Sequence, residues 1–232
     1  IRDREKYLTA DEYLSGNVRE KLEWAKRSAE QYPEDYAAHV QALERVQPVD
    51  LTASEIAVRL GATWLPPKIV EQFMFELFST SNRSRWNIHV HYFQYTGEWN
   101  VEGKSYDKGN IKAHNTYGTK RINGYQIIEE TLNLRDVRIY DYETDHHGNR
   151  IPVLNKKETA IAQGKQELIK QVFQDWIWKD PQRRQALVRQ YNEEMNATRP
   201  REYDGSHIVF GGMNPAITLR EHQKNAIAHV LY

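Results

Sequence analysis

Hydrophobic positions in the first 80 residues recur at helical spacing. Thr9 is the predicted N-cap of a helix whose apolar face extends to Ala25. Pro33 then opens a second predicted helix, because proline is favoured in the first helical turn. A third helix is predicted after Pro67, and its sequence is apolar on nearly every side. We therefore expect this third helix to be buried.

The middle of the chain changes its period. Apolar and polar residues alternate over 86–92 and again over 98–101, and Thr96-Gly97 supplies a turn between the two runs, which predicts a β-hairpin. Helical spacing returns over 122–134. A second pair of strands is predicted at 137–142 and 151–154, on either side of the polar turn that starts at Asp145. The middle is thus predicted to be a small antiparallel sheet with a covering helix.

The last third of the sequence returns to helical spacing. Helices are predicted over about 155–178 and 181–195, and a final helix after Pro215 with Thr218 as its N-cap. The predicted fold class is α+β, with helical N-terminal and C-terminal parts around the central sheet. By pattern the chain divides into a helical part (1–80), a small α+β part (81–154) and a second helical part (155–232).

Composition excludes several classes of protein. The 232 residues include 39% hydrophobic and 11% aromatic residues, which is too many for a disordered chain. The absence of Cys excludes disulfides, Cys nucleophiles and thiolate zinc sites. No apolar run is long enough to cross a membrane, so we expect a cytoplasmic protein without membrane contact. Lys and Arg total 32, as do Asp and Glu, so any nucleic-acid site must be local.

No catalytic group of residues stands out. Gly211-Gly212 is not followed by the Gly-Lys-Ser or Gly-Lys-Thr ending of a phosphate-binding loop. His89 and His91 point to one face of the predicted hairpin, where Asp107 or His114 could complete a metal site. This spacing allows a metal site but does not require one. It leaves open a metal-dependent nuclease that uses His89, His91 and Asp107.

A basic segment between residues 104 and 121 is the strongest candidate for chemistry. Asp107 is its one acidic residue, and glycines, amides and aromatic rings separate its cations. Amines of this kind bind phosphates, while rings stack on bases. The predicted DNA-binding residues are Lys104, Lys108, Lys112, Tyr117, Lys120 and Arg121.

Four stretches of the sequence carry a resemblance to a known family. They are D-E-Y-L-S-G-N-V-R-E-K-L (11–22), D-L-T-A-S-E-I-A-V-R-L-G-A-T-W-L (50–65), T-G-E-W (96–99) and R-P-R-E-Y-D-G-S-H-I-V-F (199–210). The chain resembles the large DNA methyltransferase–helicase fusion proteins of phages and conjugative elements. These are described as type II DNA modification enzymes or Swi/Snf-like helicases. The resemblance implies that this chain is the region that connects an adenine methylase to a helicase motor.

The end of the sequence fits that placement. Residues 219–223, L-R-E-H-Q, are similar to the L-R-x-x-Q signature ahead of the nucleotide-binding loop in such motors, which implies that Gln223 contacts the adenine of ATP in the parent protein. The helical pattern continues to Tyr232, from which we expect a piece of a longer polypeptide running into a truncated motor. The resemblance implies S-adenosylmethionine, ATP and Mg²⁺ for the parent, and no cofactor for this chain.

The leading hypothesis from the sequence is therefore a non-catalytic connector of a DNA modification methyltransferase–helicase. Its partners would be DNA and the flanking methyltransferase and helicase domains of the same chain. The alternative is a purely structural or protein-docking module without DNA contact, in which the aromatic surplus serves interfaces with those domains.

Overall fold

The computed structural model describes residues 2–3, 6–144, 146–214 and 216–232. Asp145 of the predicted polar turn and Pro215 before the predicted last helix lie outside these ranges. Contacts divide the chain into two compact units. Unit 1 contains Ile1–Leu51 and Gln190–Tyr232, and unit 2 contains Thr52–Arg189.

The described residues form short strands and helices of 4 to 22 residues. In chain order they are β1 (Arg2–Asp3), β2 (Lys6–Tyr7), α1 (Ala10–Tyr13), β3 (Gly16–Asn17), α2 (Val18–Gln31), α3 (Pro33–Glu44), α4 (Pro67–Phe78), α5 (Asn82–Arg85), β4 (His89–Phe93), β5 (Glu98–Glu102), a π-helical turn (Lys112–Thr116), α6 (Gly124–Leu132), β6 (Tyr140–Thr144), β7 (Arg150–Leu154), α7 (Lys156–Ile177), α8 (Pro181–Glu194), β8 (Thr198–Arg199) and α9 (Glu221–Leu231).

Unit 1 is built around the antiparallel pair α2 and α3. Its small core contains Tyr13, Leu22, Ala25 and Leu43. Thr9 is at the N-cap of α1, as predicted, although its side chain makes no cap bond. The predicted continuous helix from Thr9 to Ala25 is wrong, since α1 ends at Tyr13. The chain instead forms β3, which pairs with β8 from the other end of the sequence. The side chain of Asn17 then caps α2 by accepting a hydrogen bond from Glu20 N.

Unit 2 has one hydrophobic core between three helices and a hairpin. The helix α4 is buried along most of its length, as its apolar sequence predicted. Phe73 on α4 meets Phe173 on α7 edge to face, with ring centroids 5.1 Å apart. Phe78 packs against Tyr125 on α6 with centroids 4.6 Å apart. These contacts hold α4, α6 and α7 together in a single core.

The hairpin of β4 and β5 is held at both edges by helix side chains. Val90 N on β4 donates to Glu71 Oε1 at 2.8 Å, and Val101 N on β5 donates to Glu129 Oε2 at 2.7 Å. Asn133 bonds both the N–H and the carbonyl of Trp99. An unpaired strand edge leaves polar backbone groups without partners. Here α4 and α6 satisfy these groups, so the two-stranded sheet is stable against the core.

The structure confirms the α+β class, with helical terminal parts and small antiparallel sheets; the predicted central sheet consists of two separate hairpins, β4–β5 and β6–β7. Within the described ranges each sheet has two strands. Two local predictions are wrong. Trp86 follows α5 instead of starting a strand, because Ser81 caps a short helical turn there. The last helix begins at Glu221 with Arg220, not Thr218, at its N-cap. In the part of the chain that the structure describes, no helix has the length and apolar character needed to cross a membrane.

Candidate nucleic-acid interface

The structure places the short helix α5 against the start of the predicted DNA-binding segment. Ser84 Oγ on α5 donates to Asp107 Oδ1 at 2.9 Å. Asn110 Nδ2 donates to the carbonyl of Phe78 at 2.9 Å, at the end of α4. We call residues 79–88 and 103–121 together the basic face. These two segments are separated in sequence by the hairpin β4–β5. They are joined in the fold by the bond from Ser84 to Asp107 and by a second bond, in which Lys112 Nζ donates to Ser79 Oγ at 2.8 Å.

Gly103 allows the two backbones of the basic face to touch. Its φ is +74°, and a Cβ at this position would come within 1.8 Å of the carbonyl oxygen of Asn87. A φ in this region is favourable only for glycine, and the approach leaves no room for a side chain. Tyr106 N donates to the Gly103 carbonyl at 2.9 Å, which closes a turn directly after the contact. The sequence from 103 to 106 is thus held in a fixed shape.

A buried hydrogen-bond network fixes the basic face to the core. The Asp107 side chain accepts from Ser84, from Asn110 Nδ2 at 2.6 Å and from the Tyr125 hydroxyl at 2.8 Å. Burial raises the pKa of Tyr125 well above its ordinary value, so its hydroxyl stays protonated and donates to Asp107. The Thr80 hydroxyl in turn lies 2.7 Å from the Tyr125 oxygen. This network positions side chains and contains no group set up to react.

Positive charge predominates on the basic face. Its two segments contain seven Lys and Arg residues and one acidic residue, Asp107, whose exposed fraction is 8%. Two of the cations are neutralised by carboxylates. Five have no carboxylate partner in the part of the chain that the structure describes: Arg83, Arg85, Lys108, Lys112 and Lys120. The face therefore offers an uncompensated positive charge on a chain whose net charge is zero.

Two of the predicted DNA-binding residues are engaged in ion pairs. Lys104 Nζ donates to both oxygens of Glu129 at 2.6 Å. Arg121 donates to Asp141 Oδ1 at 2.7 Å and to the carbonyl of Tyr140 at 2.8 Å. The Arg121 hydrogen bond is the largest of the effects that hold the pKa of Asp141 below its ordinary value. In the structure these two cations are therefore bound by carboxylates of unit 2.

The other predicted DNA-binding residues have no carboxylate partner among the described residues. Lys108 and Lys120 are exposed, and Lys112 Nζ donates to Ser79 Oγ at 2.8 Å, a contact that leaves its charge uncompensated. Tyr117 is half-buried, with its ring centroid 6.0 Å from that of Phe78. Tyr117 therefore packs against the core more than it faces solvent. DNA contact by all of these residues stays a prediction.

Trp86 belongs to the basic face but was not predicted from the sequence as part of it. Trp86 is 83% exposed although it is a large apolar ring, and Arg83 lies three residues before it on α5. Tyr106, one of the aromatic rings of the basic segment, is 65% exposed. A usable signal was present in the sequence, because 79–88 contains Arg83, Arg85 and Trp86 without any acid. The alternating pattern that begins at Trp86 instead led to the prediction of a strand.

Gln223 has a local role in unit 1. Its side-chain Oε1 accepts a hydrogen bond from Arg220 N at 2.9 Å, which satisfies a free N–H at the start of α9. This is the capping arrangement that a glutamine three residues after the N-cap adopts in many helices. The adenine contact implied by the resemblance stays a prediction.

The histidines of the hairpin are separate from Asp107. His89 and His91 share the outer face of β4, with ring centroids 6.4 Å apart. His91 Nε2 lies 3.3 Å from Glu102 Oε2, while the Asp107 carboxylate is taken up by its own network. Among the described residues, no group of three or more His, Asp or Glu side chains is arranged to hold a metal ion. The structure thus does not bring together the three residues of the nuclease alternative.

Comparison with family models gives one match for the chain. Residues 59–197 match a domain of unknown function, DUF8437. This range contains the whole basic face and covers more than half of the chain. Neither the curated proteins nor the solved structures gave a match.

Proposed function

The chain belongs to the DUF8437 family, and from its geometry we propose that it is a non-catalytic connector module that contacts DNA through the basic face. The observation that supports this most is the joining of two acid-poor segments into one surface. Asp107 is the one carboxylate in those segments, and it is buried. Such a surface attracts phosphates even on a neutral protein, because the field near it is set by local charge.

The expected strength of DNA binding follows from the cations that lack carboxylate partners within the described ranges. Five cations without carboxylate partners could engage about three to five phosphates and release the counterions bound to them. For duplex DNA, affinity should then fall by about 50-fold or more between 50 and 200 mM salt. A protein that bound the same DNA through apolar contacts alone would show little dependence on salt.

The connector role rests on the resemblance to methyltransferase–helicase fusions. In that arrangement the chain would hold the two flanking domains in position on DNA in the cytoplasm. S-adenosylmethionine would serve the methylase part of the parent, and ATP and Mg²⁺ its motor part. The side chains of the basic face supply cations and rings, which suit binding rather than covalent chemistry.

Fluorescence anisotropy with a labelled 20-base-pair duplex tests the proposal. The double variant Arg83→Ala, Lys108→Ala should weaken binding about tenfold or more at 50 mM salt. Arg27→Ala is the matched control, since Arg27 is an exposed cation of α2 in unit 1. This control should bind as tightly as the original chain. The proposal is wrong if no duplex, single-stranded or forked DNA binds at low salt, or if the control loses as much affinity as the double variant.

One observation supports protein docking as a second candidate function. The hairpin of β6 and β7 is exposed along almost its whole length, although it contains Tyr142, Ile151 and Val153 with exposed fractions of 66%, 42% and 36%. Exposed apolar side chains on a strand pair are typical of an interaction surface. A flanking domain of the same polypeptide would be the partner. If no DNA binds at any salt concentration tested, protein docking is favoured over DNA contact.

A further inference from the structure

We propose that the basic face binds an unpaired nucleotide strand in preference to a duplex, with Trp86 and Tyr106 as the rings on which bases stack. The inference rests on the proposed function and adds the class of nucleic acid. Phosphate contacts alone do not distinguish single strands from duplexes, whereas stacking does. Bases of a single strand present their flat faces, and bases of a duplex are already stacked on each other.

The exposure of Trp86 is the first observation behind this inference. All six Trp residues lie in the described ranges, and Trp86 is the one among them that is exposed. The other five are buried or half-buried, in the way expected of so large an apolar side chain. Leaving this ring in water has no benefit for folding. A ligand that covers the ring explains its position better than the fold does.

The setting of the two rings is the second observation. Tyr106 is followed directly by the buried Asp107, and Trp86 is followed by Asn87, whose carbonyl closely approaches Gly103. Asn87 N also donates to Ser84 O at 3.0 Å, which fixes the chain at the end of α5. The backbones that present the two rings are therefore held in place before any ligand arrives. Binding then loses less conformational entropy than it would with rings on a free loop.

The charge around the rings is the third observation. Arg83 precedes Trp86 by three residues, and Lys108 follows Tyr106 by two. Both cations are without a partner in the part of the chain that the structure describes. Rings interleaved with free cations are the combination that single-strand binding surfaces use, with cations for the backbone and rings for the bases. An apolar protein partner would favour rings without this surplus of charge.

The size of the preference follows from the stacking. One base stacked on one aromatic ring strengthens binding by about 5- to 150-fold. We therefore expect the 12-nucleotide strand dT12 to bind at least tenfold more tightly than a 12-base-pair duplex at equal salt. Trp86 emission should change on addition of dT12, because the stacked base quenches or shifts it.

Ring variants of the full chain test the proposal by anisotropy with dT12, rU12 and the duplex. Trp86→Leu and Tyr106→Leu should each weaken dT12 binding by at least fivefold and leave duplex binding unchanged. Trp86→Phe keeps a ring and should retain most of the affinity. Tyr95→Leu is the matched control, since Tyr95 is fully exposed in the turn of the β4–β5 hairpin, outside the basic face. Far-UV circular dichroism checks that every variant is folded.

The outcomes separate the inference from the proposed function. If dT12 and the duplex bind equally and the ring variants change nothing, the strand preference is wrong, while a loss on Arg83→Ala, Lys108→Ala would still support DNA contact. If no oligonucleotide binds at 50 mM salt, both are wrong. Equal binding of rU12 and dT12 supports recognition of an unpaired strand through bases and phosphates. Binding of rU12 alone overturns DNA as the ligand.

Discussion

Replacing Asp107 by alanine should loosen the attachment of the basic face to unit 2. The carboxylate is 8% exposed and accepts hydrogen bonds from Ser84, Asn110 and Tyr125. A hydrogen bond in a protein contributes about 1 kcal/mol net, and more when one partner is charged. Part of this gain is offset by the cost of burying the carboxylate. Loss of all three bonds should therefore lower the free energy of unfolding by about 2–3 kcal/mol.

Urea unfolding followed by Trp fluorescence measures this change. Five of the six Trp residues lie between residues 52 and 189, so the signal reports mainly on unit 2. Asp136→Ala is the matched control, because Asp136 is an exposed acid of the same unit and should change stability by less than about 0.5 kcal/mol. A loss below about 1 kcal/mol for Asp107→Ala would show that the network does not hold the face. In that case the placement of Trp86 and Tyr106 would also need another explanation.

Three other predictions concern backbone and charge. Gly103→Ala should destabilise unit 2 by about 2–3 kcal/mol in urea unfolding, since its Cβ would clash with a carbonyl oxygen and its φ is +74°. Gly109→Ala, which meets nothing within 4 Å, should stay within about 0.5 kcal/mol; equal effects would contradict the close approach. Leu134→Gly should stabilise by about 0.5–1 kcal/mol and raise the melting temperature, because Leu134 has φ +58° in the position after α6 where glycine is preferred. Arg121→Gln should raise the pKa of Asp141 in an NMR titration, since the Arg121 hydrogen bond is the main cause of its lowered pKa. Any stabilisation from this pair is present above the ordinary carboxyl pKa and is lost as the pH falls through the lowered pKa. An unchanged pKa in the variant would refute the assignment.

The periodicity of the sequence predicted those elements whose partners are close in sequence. The helix α7 (156–177) was expected over 155–178, and the hairpin of β4 and β5 was expected with its turn near Thr96-Gly97. In both cases side-chain spacing and turn residues decide the structure locally. The caps were less predictable. Thr9 does occupy the N-cap position of α1, but its side chain makes no cap bond and the helix ends at Tyr13. Thr218 is a good N-cap residue by type, but α9 begins at Glu221 with Arg220 at its N-cap.

The candidate interface was predicted only in part, because its two halves are distant in sequence. Composition alone identified the Lys and Arg residues of 104–121. It could not show that Lys104 is bound by Glu129, since that pairing depends on the packing of α6 against the hairpin. Nor could it show that α5 lies beside the loop, which depends on the bond between Ser84 and Asp107. Side chains that serve the fold and those left for a ligand have the same residue types.

The pairing of β3 with β8 has a consequence for how the protein is made. Residues 16–17 pair with residues 198–199, and unit 1 takes its elements from both ends of the chain. A polypeptide emerging from the ribosome exposes all of residues 52–189 before the last strand of unit 1 exists. Unit 2, which is continuous in sequence, can therefore fold during translation, as domains generally do. Unit 1 is completed only when residues 190–232 have been made, and until then α2 and α3 pack on each other and on Tyr13.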